Sequence, residues 1–365
     1  MQTKIVSILG TRGIPSNHGG FETFAQDLGL YLSERGWTVN VYCQKIGKGK
    51  TEIEIWKGIQ LIKIYIKKDT NYGTLLFDLK SIIHSLRNKG IFLTLGYNTA
   101  ILNLIYKVFR KVNIINMDGI EWKRRKWGFF IKSWFWINEK LALLFSKHIV
   151  ADHPEIKTHL AKFISKNKIS MIPYGAEFIQ KANADCLKKF KIEKFKYSLI
   201  IARPEPENSV FEIIKAFSNK HRNQKLVVLG KYDFKQNLYH KKIKETASKE
   251  VYFIGPVYNR DIVSSLRYFS RLYFHGHQVG GTNPSLVESL AAQNTIVCND
   301  NKYNRWVSGD GALYFSDIKS LINILNNIDK VDLDQLRINA LDRYNKLFKN
   351  EIVLNNYEKL LLHFV

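Results

Sequence analysis

The run Lys4-Ile5-Val6-Ser7-Ile8-Leu9 leads into eleven residues, Gly10-Thr11-Arg12-Gly13-Ile14-Pro15-Ser16-Asn17-His18-Gly19-Gly20, after which Phe21, Phe24, Ala25, Leu28 and Leu32 recur at helical spacing. Gly36 stops the helix, and Thr38 to Cys43 reads as the next strand. Strand, glycine-rich loop, helix and strand, in that order, commit the chain's opening to a parallel sheet whose ligands sit at the carboxyl ends of its strands. The loop is not a dinucleotide fingerprint, since a proline separates its glycines, and no Gly-Lys-Ser/Thr follows to make it a Walker loop. Its glycines let backbone N–H groups approach a ligand. Just before a helix, those donors and the helix dipole suit a phosphate or a sugar hydroxyl. A tight surface connection is the plainer alternative.

Short apolar runs at Leu61 to Ile66, Gly90 to Leu95, Val112 to Asn116 and His148 to Ala151 fit further strands of the same domain. After Ile172-Pro173-Tyr174-Gly175-Ala176 a second series begins, with strands expected at Tyr197 to Ala202, Lys225 to Leu229, Val251 to Ile254, Arg271 to Phe274 and Thr295 to Cys298. Helices are expected between them, at Phe211 to Phe217, Asp261 to Tyr268 and Ser285 to Ala292, and a last helical stretch runs from Asp332 to Phe364. Two such series in 365 residues predict two doubly wound α/β domains with a cleft between their strand ends. The division expected is residues 1–180, 181–345 and a terminal helical segment, 346–365, packing back on the first domain.

A content of 45% hydrophobic and 24% charged residues allows sizeable cores and argues against disorder. Cys43, Cys186 and Cys298 are too far apart for a disulfide framework or a thiol metal site. The opening Met1-Gln2-Thr3-Lys4-Ile5 reads as the start of a fold rather than a secretory signal, and no apolar stretch reaches the length of a membrane span. A cytoplasmic protein is the expectation, peripheral on the inner face of the cell membrane if its basic surface meets lipid.

The sharpest motif is Phe274-His275-Gly276-His277-Gln278-Val279-Gly280-Gly281-Thr282-Asn283-Pro284-Ser285-Leu286-Val287-Glu288, with Pro284 in the first turn of a helix. Backbone N–H groups of Gly281, Thr282 and Ser285 suit a diphosphate, and Asn283 adds a polar side chain. Glu288 serves either as a favourable charge near the helix start or as acceptor for two ribose hydroxyls. Arg203 follows a strand, where its planar guanidinium can neutralise phosphate oxygens or pair with Glu205 or Glu207. His275 and His277 lack a third ligand for a metal, so no metal is expected; His277 suits orienting the loop or donor. Asp118 and Glu121 are the acids expected to reach the first domain's side of the cleft, and a paired-carboxylate hydrolase stays open on them. Asp332-Leu333-Asp334 is read as a helix cap rather than a metal motif.

The formal charge is +24, which would attract nucleic acid, an anionic membrane or a phosphorylated substrate. Between Ile101 and Lys140 nine lysines or arginines stand against three acids, interleaved with aromatics. Trp122, Lys123, Arg124, Arg125, Lys126 and Trp127 form the expected membrane or acceptor patch, with core aromatics beneath a solvated basic face as the alternative.

Gly10-Thr11-Arg12-Gly13-Ile14-Pro15 with Gly19-Gly20-Phe21-Glu22-Thr23-Phe24, Asp118-Gly119-Ile120-Glu121-Trp122-Lys123-Arg124, Ala202-Arg203 with Pro206-Glu207-Asn208, and the His275 to Leu286 motif form one pattern. It resembles the family 4 retaining glycosyltransferases of GT-B fold, most closely their bacterial rhamnosyltransferase-like branch in capsule and O-antigen assembly. The resemblance spans most of the chain and implies two Rossmann-like domains facing across a cleft. It also implies a nucleoside-diphosphate sugar as donor, dTDP-rhamnose by branch, and no other cofactor. The acceptor implied is a saccharide, lipid-diphosphate-linked at an anionic membrane surface.

By the same resemblance Gly19 and Gly20 approach the donor phosphates and acceptor, Arg203 contacts the diphosphate and Glu288 the ribose. Wider family members carry a phosphate-contacting lysine where this chain has Asn208, and an acid where it has Gly280. A nucleotide-sugar epimerase of related architecture is the competing enzyme class. A basic nucleic-acid-binding protein would leave both loops unexplained and shows no recognition-module signature, so no nucleic acid is expected as partner.

Overall fold

The computed structural model describes residues 4–15 and 19–365. Residues 1–3 of the expected opening, and Ser16, Asn17 and His18 of the first glycine-rich loop, lie outside the described residues. The chain divides into two compact units, Met1–Pro173 with Glu351–Val365, and Tyr174–Asn350.

Among the described residues the first unit holds an eight-stranded sheet. Its strands are β1 (Ile5–Leu9), β2 (Thr38–Ile46), β3 (Glu52–Trp56), β4 (Ile59–Ile66), β5 (Ile91–Leu95), β6 (Val112–Met117), β7 (His148–Ala151) and β8 (Ile169–Met171). They lie in the order β3-β4-β2-β1-β5-β6-β7-β8, parallel except for the edge strand β3. Lys57 and Gly58, both at positive φ, close the β3–β4 hairpin as a two-residue turn of this kind demands. From β1 the chain passes on one side through β2 to the edge strand β3 and back to β4, and then on the other side from β5 out to β8. The winding reverses between β1 and β5, the switch point at which open α/β sheets bind ligands.

The second unit holds β9 (Tyr197–Ile201), β10 (Lys225–Leu229), β11 (Val251–Gly255), β12 (Leu272–His275), β13 (Thr295–Asn299) and β14 (Ala312–Phe315). Their order is β11-β10-β9-β12-β13-β14, parallel throughout, with the reversal between β9 and β12. Neighbouring side chains along a strand enter opposite cores: Leu199, Val227, Tyr273 and Ile296 one, Ile200, Val228, Phe274 and Val297 the other. Burial on both faces explains why these strands are apolar runs rather than alternating ones.

The helical stretch expected from Asp332 to Phe364 is two helices, Leu333–Leu347 and Asn350–Leu362. Between them Phe348 accepts the Ala176 N–H at 3.0 Å, and the Asn350 N–H donates to the Ala176 carbonyl at 3.2 Å, so the two inter-unit crossings of the chain lie side by side. The final helix belongs to the first unit. There Tyr357 sits 4.7 Å from the Phe24 ring and accepts from Asn116 Nδ2 at 2.8 Å, and Trp37 Nε1 donates to Glu358 at 3.0 Å.

Candidate functional site

In the second unit, the segments leaving β9 and β12 meet at the switch point. Gly276 lets them approach: a Cβ there would collide with the Asn208 carbonyl. The Gln278 N–H donates to the Glu207 carbonyl and its Nε2 to Ser209 Oγ, both at 2.9 Å. Asn208, in place of the lysine of wider relatives, is buried and donates from Nδ2 to the Arg203 carbonyl at 2.9 Å. It therefore fixes the backbone from which Arg203 projects. Arg203 itself is exposed and makes no ion pair with Glu205, Glu207 or any other described residue. Its charge is available to an anion.

On the other side of the junction Asn283 caps the helix Pro284–Ala291, accepting the Ser285 N–H at 3.0 Å. That N–H, expected on a diphosphate, is donated to a side chain in this structure; Gly280, Gly281 and Thr282 lie in the loop ahead of it. Glu288 is half-exposed, and its carboxylate is gripped at 2.6 Å by Arg267, which is almost fully buried. Arg267 also donates to Ser285 Oγ at 2.8 Å, which is 2.7 Å from the Tyr273 hydroxyl. Burial works against the guanidinium's charge, but Tyr273 and Glu288 more than offset it, and its pKa lies above that of an ordinary arginine. Sequence reasoning missed Arg267. The signal was an arginine inside the apolar run Leu266-Arg267-Tyr268-Phe269. His275 and His277 stack at 4.3 Å; burial, with His277 and Arg267 nearby, holds His275 neutral by lowering its pKa well below the usual histidine value. Among the described residues no group of three or more His, Cys, Asp or Glu is placed to hold a metal.

In the first unit, Gly10 (φ +78°) turns the chain where a Cβ would strike the Leu95 backbone, so the loop after β1 folds onto the end of β5. The Arg12 N–H donates to Glu22 Oε1 at 3.0 Å and its guanidinium to Asp69 at 3.2 Å. Gly19 and Gly20 open the helix Gly20–Ser33, whose first turn carries Glu22. A cavity of about 260 Å³ lies at this junction, lined among others by Phe21, Glu22, Gln44, Asp78, Asn98 and Thr99. Asp78 accepts from Thr99 Oγ1 at 2.8 Å, and burial pushes its carboxyl up to about 6. It too was missed, although an acid in Leu75-Leu76-Phe77-Asp78-Leu79 was a visible anomaly.

Asp118 follows β6 directly. Glu121 receives the Arg124 guanidinium at 2.9 Å and Trp127 Nε1 at 3.3 Å, and its N–H donates to the Tyr97 hydroxyl at 2.7 Å. Its carboxylate organises the turn that holds Arg124 and Trp127. Trp122 donates to the buried Glu139 at 2.8 Å, and both Trp122 and Trp127 pack on the core. Of the expected patch, Lys123 and Arg125 are exposed.

The solvent-facing apolar surface lies further along, on the helix Phe129–Phe145. Phe135, Asn138, Glu139, Ala142 and Leu143 are buried, whereas Phe130, Trp134, Ile137 and Leu144 are exposed at helical spacing, Phe130 at 86%. Ile101, Leu104, Val108 and Phe109 add exposed apolar groups on the preceding segment. That segment lies alongside the helix: the Ile101 N–H donates to Asn138 at 3.0 Å and Lys107 to the Leu144 carbonyl at 2.9 Å. Among the described residues no helix is long and apolar enough to cross a membrane.

Comparison with known proteins follows the same division. Residues 3–177 match a domain of unknown function (DUF1972), and residues 185–346 match the family Glycosyl transferases group 1. A search of curated proteins finds no match. Among solved structures, the chain is similar to sucrose-phosphate synthase from Thermosynechococcus elongatus, with a TM-score of 0.79 at 15% identity over 99% of this chain and 98% of that one. A glycosyltransferase from Rickettsia africae gives 0.74 at 15% identity, covering 100% and 99% of the two chains. Anabaena HepE in complex with UDP and glucose gives 0.77 at 13% identity over 99% of each chain. The family match thus falls within the second unit, and the fold is that of the GT-B glycosyltransferases.

Proposed function

We propose that the chain transfers a sugar from a nucleoside diphosphate to a saccharide acceptor with retention of anomeric configuration. The observation that carries this reading is the β9–β12 junction of the unit that matches the group 1 glycosyl transferases. It presents an unpaired arginine, Arg203, on the segment whose Glu207, Asn208 and Ser209 meet Gly276 and Gln278, and a half-exposed carboxylate, Glu288, held by the buried Arg267. As the bond between sugar and phosphate breaks, the sugar becomes oxocarbenium-like and negative charge builds on the leaving diphosphate. A preorganised guanidinium stabilises that state more than the ground state. Glu288 accepts the ribose hydroxyls, and Gly281, Thr282, Asn283, Ser285 and His277 shape the loop around the diphosphate. No protein nucleophile is required: the acceptor attacks on the face the diphosphate leaves, and a donor phosphate oxygen takes its proton.

On the first unit Gly19 and Gly20 open the helix nearest the acceptor, and Asp118 is our acceptor-side acid. Glu121, whose oxygens serve Arg124 and Trp127, supports it by positioning that turn. L-rhamnose from dTDP-rhamnose is our reading of the donor, supported by the motif resemblance; the UDP complex of HepE makes UDP-sugars the competing set. The acceptor we infer is lipid-diphosphate-linked, in capsule or O-antigen synthesis. The exposed Phe130, Trp134, Ile137 and Leu144 stripe supports an anionic membrane surface as its place. No acid occurs from Trp122 to Asn138, while Lys123, Arg124, Arg125, Lys126 and Lys132 do, so anionic headgroups complement the surface and a second copy would repel it.

The test is product formation from a panel of dTDP-, UDP- and GDP-sugars, with and without oligosaccharide and lipid-linked acceptors. Acceptor-dependent transfer from one donor, with the anomeric configuration kept, is the expected result. Release of nucleoside diphosphate that ignores every acceptor, or epimerised donor, overturns it.

A further inference from the structure

We propose that the cavity at the β1–β5 junction of the first unit binds one uncharged sugar ring, held between the Phe21 ring and the polar groups of Gln44, Asp78, Asn98 and Thr99. The cavity lies at the point where the sheet's winding reverses, the place an open α/β sheet offers a ligand. Its volume of about 260 Å³ is below the range of pockets for drug-sized ligands, roughly 300–1,000 Å³, and suits a single ring. Its lining joins an aromatic face to several hydroxyl, amide and carboxyl groups, the mixture that a body with apolar C–H faces and a rim of hydroxyls requires.

Charge decides which sugar. Among the described residues that line it, the cation is Arg12, and its guanidinium already pairs with Asp69 while its N–H serves Glu22. Glu22 and Asp78 add two carboxyl groups to its lining. A phosphorylated sugar would meet repulsion there, whereas hydroxyls supply the donors those carboxyls lack. Asp78 is the residue on which the site turns. It sits in the helix Asn71–Ser85, whose Phe77 and Ile82 are buried, at a desolvation cost that Thr99 alone offsets only in part. The raised pKa of its carboxyl accords with a group short of donors until a ligand arrives.

The inference rests on the reading of the second unit as the donor's, which makes the ring in the first unit part of the acceptor. The experiment uses the full chain and titrates methyl glycosides of rhamnose, galactose and glucose, then glucose 6-phosphate, by ligand-observed NMR. UDP and dTDP are titrated in parallel, and Asp78→Asn and Asp78→Leu are compared with wild type. We expect at least one methyl glycoside to bind, glucose 6-phosphate to bind about tenfold more weakly, and Asp78→Leu to weaken the glycoside by about tenfold with Asp78→Asn between. Nucleotide affinity stays unchanged in both variants. Glycoside affinity that is absent, unchanged in Asp78→Leu or matched by glucose 6-phosphate overturns the cavity assignment, even with nucleotide bound. Loss of nucleotide binding alone, with the glycoside results intact, overturns the donor reading instead.

Discussion

Glu288 owes its orientation to a buried neighbour, Arg267. Arg267 is buried and shares its donors among Glu288, the Ser285 hydroxyl and the Ser285 carbonyl, so the carboxylate is held at one angle, which we propose is the one that meets the ribose. Glu288→Gln keeps the shape and removes the charge; we expect nucleoside diphosphate to bind about tenfold more weakly by calorimetry, with the fold intact. Arg267→Met takes the guanidinium away from Glu288 and from the Ser285 hydroxyl and carbonyl. It is expected to cost on the order of 1–2 kcal/mol in urea unfolding, from the hydrogen bonds lost at Ser285 and the half-exposed Glu288, and to loosen nucleotide binding as well. Asp78 gives a pH signature of its own. Its folded-state carboxyl, pushed up to about 6, holds its proton longer than in the unfolded chain, so its contribution favours folding at low pH and is lost as pH rises from about 4 through 6. Relative to wild type, Asp78→Asn is expected to gain on the order of 2 kcal/mol of stability at pH 7 and nothing at pH 4, measured as the difference between two urea titrations.

At the scale of elements, the helix Phe129–Phe145 is apolar on its buried face and on much of its solvent face, the feature on which we propose a membrane contact. Sedimentation with anionic vesicles is expected for wild type and lost in Phe130→Glu/Trp134→Glu, with the circular dichroism spectrum unchanged. Neutralising Lys123, Arg125 and Lys126 should weaken the same binding and flatten its salt dependence; binding untouched by both sets contradicts a membrane role for this face. The location of the face was only half legible in the sequence. The aromatic and basic run was plain, but which of Trp122, Trp127, Phe130 and Trp134 pack inward depends on Glu139 and Glu121, whose indole partners no local pattern reveals. Strand–loop–helix order was legible because glycines and continuous apolar runs encode it directly. The edge strand β3 and the short β8 and β14 were not. Their four or five residues, or fewer, have too little periodicity to stand apart from loop.

For the whole molecule, a net charge of +24 sets the terms of association without choosing a partner. On our proposal the choice is local: the unpaired Arg203 at one switch point, the carboxyl-lined cavity at the other, and the apolar helix face in the first unit. The two-unit plan was readable from the repeated βα series. The return of the final helix to the first unit, however, is fixed by Tyr357 and Glu358 reaching Asn116 and Trp37, contacts more than 200 residues apart in sequence. The most direct test of the donor site is calorimetric titration of dTDP and UDP into the full chain and its Arg203→Ala variant. Binding of at least one nucleotide at one site per chain, weakened about tenfold or more in the variant while its unfolding midpoint holds, is the expected result. Equal affinity in the two proteins, or no binding of either nucleotide to wild type, would contradict a donor site built on Arg203.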